Sequence, residues 1–188
     1  MVHIVDLVQS QVIASVKEEA DIDKAINSKA NIVFLLTGNL INMKDYVDRL
    51  RKANKQIFIH IDFIEGISNT KSAIQFIAYT WKPTGIITTK SSLIKYAKEV
   101  KLMTIQRIFL IDGAAISKGI EMSLSCKPDA IEVLPGLMPT IIDRLTRAVN
   151  IPVIAGGLIS SKQDILQGLE VGALAISSGN PALWNFDL

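Results

Sequence analysis

Apolar residues along this chain gather in eight short runs rich in β-branched side chains. These are Gln11 to Val16, Asn31 to Leu36, Gln56 to Ile61, Gly85 to Thr89, Leu102 to Arg107, Ala130 to Leu134, Pro152 to Ala155 and Ala173 to Ser177. Runs of this length, bounded by polar residues, predict strands. Between them the spacing becomes helical: Tyr46, Val47 and Leu50 follow the second run, Ile74, Phe76, Ile77 and Ala78 the third, and Ile141, Ile142 and Leu145 the sixth. Such alternation predicts a parallel sheet covered by helices, because a parallel strand needs a crossover and a helix is the usual one. Eight units in 188 residues leave about 23 residues each, which suits a compact α/β barrel of the TIM (β/α)8 type. The alternative is an open doubly wound sheet, but the count of eight and the lack of Gly-x-Gly-x-x-Gly after the first strand favour the barrel. No linker, low-complexity tract or charge block interrupts the pattern, so one domain is drawn over residues 1–188.

Strand parity sharpens this. In Ile57-Phe58-Ile59-His60-Ile61-Asp62 the odd positions are all isoleucine, suited to the helix layer, which turns Phe58, His60 and Asp62 towards the barrel axis. In Ala130-Ile131-Glu132-Val133-Leu134 the same rule turns Glu132 inward. A carboxylate inside a barrel is costly unless a partner, a ligand or water meets it.

Composition then narrows the class. Apolar residues make up 49% of the chain and charged residues 20%, which excludes a disordered polymer. The net charge of +2 excludes a surface coated in cations, although a local basic patch remains compatible with it. Cys126 is the single cysteine, so neither an internal disulfide nor a zinc finger can form, and a reducing compartment is expected. Residues 1–10 lack the charged start and continuous apolar stretch of a signal peptide, and no apolar run is long enough to span a bilayer. A cytoplasmic protein with no membrane partner is expected.

The chemistry concentrates at predicted strand ends. Ile154-Ala155-Gly156-Gly157 closes the seventh strand and Ile176-Ser177-Ser178-Gly179 the eighth, where barrels often hold phosphate. Glycines expose backbone N–H groups, serines add hydroxyl donors, and a helix start contributes partial positive charge. Pro181 suits the first turn of a final short helix. Gly156, Gly157, Ser177 and Ser178 are therefore the candidate phosphate ligands, the plainer reading of Gly156-Gly157 being a tight bend. Lys17, Asp62, Glu65, Lys90, Gln106, Arg107, Asp112 and Glu132 stand at or just past other strand ends. His60 reads equally as a core imidazole or a ligand contact, Asp112 as a helix cap, and Lys90 as a solvated loop cation. Asp62 and Glu132 with Lys90 would suit a phosphosugar isomerase, lyase or synthase, which is the enzyme alternative. His60-x-Asp62 lacks a third strand-end ligand, so no metal is expected. Basic residues at Arg49, Arg51, Lys52 and Lys55, and at Lys95, Lys98 and Lys101, read as helix-end charges that keep the surface soluble, since aromatic interleaving is absent.

Several segments together are more specific. His60-Ile61-Asp62-Phe63-Ile64-Glu65-Gly66, Gly85-Ile86-Ile87-Thr88-Thr89-Lys90 and Ile105-Gln106-Arg107 occur in this order, followed by Ile131-Glu132-Val133-Leu134-Pro135-Gly136, Ile154-Ala155-Gly156-Gly157 and Leu183-Trp184. From about Gln11 to Trp184 the chain resembles the glycerol-3-phosphate-responsive antiterminators of glycerol uptake operons. The resemblance implies a regulatory barrel without catalytic residues or cofactor, whose effector is glycerol 3-phosphate. In the bound state it would act on leader mRNA so that transcription passes a terminator. It implies that Gly156, Gly157, Ser177 and Ser178 take the phosphate and that Asp62, Gln106 and Glu132 lie near the glycerol hydroxyls; Lys17, Lys90 and Arg107 are candidate cationic partners, since such groups hold a phosphate well. Relatives tend to carry Asp-Ser where this chain has Asp112-Gly113, Thr-Ser where it has Ser177-Ser178, arginine where it has Lys90 and Pro-Ala where it has Ala14-Ser15. The lost hydroxyl and the lost guanidinium fork leave a changed effector open. A sensor with a protein partner, and self-association, also stay open.

Overall fold

The computed structural model describes residues 3–186. Eight strands, all parallel to their neighbours, pair in chain order and the eighth pairs with the first, which closes the barrel. They are β1 (Val12–Val16), β2 (Ile32–Leu35), β3 (Gln56–His60), β4 (Gly85–Thr88), β5 (Met103–Phe109), β6 (Ala130–Leu134), β7 (Val153–Gly156) and β8 (Ala175–Ser178). A short helix, α1 (Ile4–Leu7), precedes β1. The crossovers carry α2 (Ile22–Ile26), α3 (Met43–Lys52), α4 (Lys71–Phe76, continued by a π-helical segment, Ile77–Trp81), α5 (Ser91–Glu99), α6 (Gly113–Cys126), α7 (Pro139–Ala148) and α8 (Lys162–Glu170). Every expected strand is present, with no end moved by more than two residues and β6 at the expected bounds. β5 runs on to Phe109 because Ile108 and Phe109 still have partners in Val133 and Leu134.

Helix starts follow local chemistry. The Thr70, Asp112 and Ser161 side chains accept the N–H of Ala73, Ala115 and Asp164, and the Asp164 carboxylate returns a bond to the Ser161 N–H. Each cap satisfies a donor that the helix cannot. Asp112 is thus a cap, the plainer of its two readings.

Two apolar cores lie on either side of the strand wall. Outward residues such as Ile57, Ile59, Ile131 and Val133 join Tyr46, Val47, Leu50, Ile142 and Leu145 from the helices. Inward residues Ile13, Phe34, Phe58, Ile87, Ile105 and Ile154 fill the barrel, and Ile4 of α1 packs on them. Burying each such side chain contributes about 1.5–3 kcal/mol. Two positions further along several strands the interior turns polar: Ile13 is followed by Ser15, Phe58 by His60, Ile105 by Arg107, Ala130 by Glu132 and Ala175 by Ser177. The barrel therefore has an apolar floor towards the amino ends of its strands and a polar layer towards their carboxyl ends.

Candidate functional site

The polar layer floors a cavity of about 760 Å³ at the carboxyl end. Ser15, Lys17, Arg107, Glu132, Ser177 and Asn180 supply its polar groups. Leu36, Phe63, Phe109, Leu134, Leu158 and Ile159 supply its apolar wall.

At its centre the Arg107 Nε donates to Glu132 at 2.7 Å, and the Ser177 hydroxyl donates to the other Glu132 oxygen at 2.6 Å. The Arg107 and Glu132 side chains are 5% and 1% exposed, so this is a buried ion pair. Gly156 makes room for it, because a Cβ there would lie 2.1 Å from the Ser177 Oγ and 2.8 Å from the Glu132 Oε1. Gly157, at φ 75°, opens the loop after β7 onto the cavity, and Leu158 follows at φ 62°. These are left-handed conformations that glycine adopts freely and leucine at a steric cost. Across the cavity Lys17 lies along Gly179, where a Cβ would come within 3.0 Å of the Nζ. Lys17 is exposed and has no carboxylate partner among the described residues.

His60 belongs to this layer and is 1% exposed, with no hydrogen-bond partner for either ring nitrogen. The Phe63 ring packs on it at 4.5 Å, and the Arg107 guanidinium carbon lies 5.9 Å from the centre of the same Phe63 ring. Burial, then the Arg107 charge, lowers the His60 pKa to about 3, which keeps the imidazole neutral.

The expected site residues separate into two groups. Lys17, Arg107, Glu132, Gly157 and Ser177 line the cavity; Gly156 stands behind it, giving room to Ser177 and Glu132. Asp62 and Lys90 do not line it. β3 stops at His60, and Asp62, in the 3-10 turn Ile61–Phe63, reaches sideways to the end of β4. There it accepts the Thr88 hydroxyl and the N–H and hydroxyl of Thr89 at 2.8–3.0 Å, with the Lys90 ammonium at 3.4 Å. Burial raises the Asp62 pKa, yet these hydrogen bonds outweigh it and hold the carboxyl below its usual range. Glu132 and Asp62 are thus each engaged by different partners and do not form the acid–base pair that the enzyme alternative requires.

Two expectations need correction. Gln106 faces the helix layer, since its neighbours Ile105 and Arg107 on β5 both point inward. Its amide donates to the Ser91 hydroxyl and accepts from Ser123 and Cys126, so it cannot meet a ligand in the cavity. Ser178 likewise has outward parity and gives its hydroxyl to the Ile159 carbonyl, bracing the β7 loop instead of facing the cavity. Ser15, Ser160 and Asn180 line the cavity and were missed. Ser15 was readable by parity from Ile13; Ser160 and Asn180 are loop residues with no sequence periodicity to reveal them. Among the described residues there is no group of three or more His, Cys, Asp or Glu placed to hold a metal, and no helix long and apolar enough to cross a membrane.

Comparison with known proteins fits this geometry. An uncharacterized protein of Escherichia coli, YgcP, is 35% identical over 176 residues, which cover 94% of this chain and 92% of that one. The crystal structure of a glycerol uptake operon antiterminator regulatory protein from Listeria monocytogenes superposes with a TM-score of 0.91 at 33% identity, covering 96% and 97% of the two chains. That of a glycerol uptake operon antiterminator-related protein from Thermotoga maritima gives 0.81 at 28% identity, covering 93% and 98%. The family model described as glycerol-3-phosphate responsive antiterminator matches residues 12–184, which is nearly the whole barrel, and the chain belongs to that family.

Proposed function

We propose that the cavity binds glycerol 3-phosphate and that the bound form engages leader mRNA of glycerol-utilisation genes so that transcription passes a terminator. The observation that carries the ligand half is the charge balance of the cavity. Arg107 is neutralised by Glu132, whereas Lys17 faces the Gly157 and Gly179 loops with no carboxylate of its own. An unopposed ammonium beside glycine-opened loops suits a phosphate monoester dianion. The Glu132–Arg107 pair then suits the hydroxyl end of the ligand, and the apolar wall excludes bulk water. Ligand contacts to the β7 and β8 loops shift the protein towards its RNA-binding state only by binding that state more tightly.

Titration calorimetry with glycerol 3-phosphate, glycerol and inorganic phosphate tests this directly. Only glycerol 3-phosphate should bind with full affinity, and Gly157→Asp should abolish its binding by setting a negative charge on the loop that lines the cavity. Unchanged affinity in that variant would overturn the phosphate assignment. In the regulatory reading the purified protein turns over no triose or pentose phosphate, and turnover that disappears in Glu132→Gln would favour the enzyme alternative.

A further inference from the structure

The charges of this chain are divided unevenly around the barrel. Residues 44–127 carry fourteen Lys and Arg against seven Asp and Glu, whereas the remainder carries six against eleven. Because consecutive units are neighbours in the barrel, the first group forms one continuous sector from α3 to α6.

Within that sector three lysines occupy equivalent places. Lys82 follows the π-helical segment, Lys101 follows α5 and Lys127 follows α6, and each stands two or three residues before β4, β5 or β6, at the amino end of the barrel. All three are exposed and adopt left-handed backbone, at φ 54°, 61° and 50°. Glycine or asparagine fills this position with less strain. The same chain does so at Asn54 after α3, within this sector, and at Gly172 after α8, outside it. Complementing the helix dipole does not account for the choice, since α8 ends on Glu170 with no basic residue in its last turn. At these three junctions the chain thus accepts backbone strain and gains charge.

These cations are also free to act. Lys82, Lys101 and Lys127 have no carboxylate partner among the described residues. Nearby acids are engaged elsewhere: Asp48 pairs with Lys44 and Arg51, Glu99 with Lys71, and Asp129 accepts the N–H and hydroxyl of Thr104. Tyr79, 66% exposed and one turn before Lys82, offers a ring on which a base can stack.

We propose that this lysine arc holds the phosphodiester backbone of single-stranded RNA, at the end of the barrel opposite the ligand cavity. A row of cations at helix spacings of roughly 10 Å on a convex rim follows a flexible chain of phosphates, whereas a flat lipid surface would meet only part of it. The proposal rests on the reading of the protein as an RNA-directed regulator.

The test compares the wild type with a Lys82→Gly, Lys101→Gly, Lys127→Gly variant and with a control, Lys24→Ala, Arg144→Ala, Arg147→Ala, whose sites lie in the other sector. Binding of a fluorescent oligouridylate is measured over a salt series with glycerol 3-phosphate present. Removing three phosphate contacts should lower the slope of log K against log salt by about 2 and weaken binding about 100-fold at 0.1 M salt. The control should stay close to the wild type. The glycine variant should bind glycerol 3-phosphate normally by calorimetry and melt at a higher temperature, because glycine relieves the left-handed strain; lost RNA binding would then not reflect misfolding. Unchanged RNA binding in the glycine variant overturns the arc and leaves the RNA reading standing. Failure of the wild type itself to bind RNA overturns both. Tighter, lysine-dependent binding to phosphatidylserine vesicles than to RNA overturns the arc in favour of a membrane surface.

Discussion

The two ends of this barrel handle charge in opposite ways. At the carboxyl end the central carboxylates are buried or half-buried and engaged: Arg107 lies against Glu132, and Asp62 lies among Thr88, Thr89 and Lys90, while Lys17 stands exposed at the cavity. Around them the loops expose apolar side chains. Of the eleven exposed large apolar residues among the described residues, six stand on these loops, Ile41, Phe63, Ile111 and Leu158 among them, and Phe109 ends β5 beside them. At the amino end, over α3 to α6, exposed lysines stand without carboxylate partners at Lys82, Lys101 and Lys127. A buried pair fixes geometry because neither charge can be left alone in a poor dielectric. An exposed, unmatched row fixes nothing locally and instead creates a field that a polyanion can use. The first arrangement suits a small ligand with defined groups, the second a long partner with a repeating charge.

The largest expected effect lies at the matched end. Glu132→Leu strands the Arg107 guanidinium and should cost about 3–5 kcal/mol in urea unfolding, whereas the double variant Arg107→Met, Glu132→Leu should recover most of it. If the single variant loses under 1 kcal/mol, the pair is not the rigid centre described here. Gly156→Ala comes next. Its Cβ would collide with the Ser177 Oγ, so a loss of about 1–3 kcal/mol is expected, with partial rescue by Ser177→Ala.

A pH series sharpens the contrast further. His60 has a pKa of about 3 in the folded protein, well below the ordinary histidine value. As pH falls the unfolded chain takes up this proton first, so stability is present above the unfolded pKa and lost below it. Between pH 8 and 5 the loss should be about 2 kcal/mol by urea midpoint. His60→Leu should remove that slope, and a slope unchanged in the variant would assign the effect to another group. The smallest effect belongs to the amino end: Lys101→Gly alone should stabilise by up to about 1 kcal/mol by relieving left-handed strain. A destabilisation instead would mean that the lysine side chain holds the α5–β5 junction through packing.

The sequence by itself determined the architecture. Short apolar runs recur eight times with helically spaced segments between them, so strands and helices were legible, and the count of eight favoured closure over an open sheet. Strand parity made inward-facing Glu132 and His60 legible, and the glycine-bearing end of β7 was legible as well. Tertiary structure alone decided which strand-end residues share a cavity. Gln106 and Arg107 are an exception, since strand parity, which the sequence already holds, sends the first outward and the second inward. Asp62 leaves the cavity because β3 ends two residues earlier and the Thr88 and Thr89 hydroxyls compete for its carboxylate. Lys17 reaches the phosphate candidate loops only because β1 closes onto β8 across almost the whole length of the chain. Burial pattern is a local property that sequence spacing encodes, whereas the convergence of polar groups depends on where strands stop and which strand closes the ring.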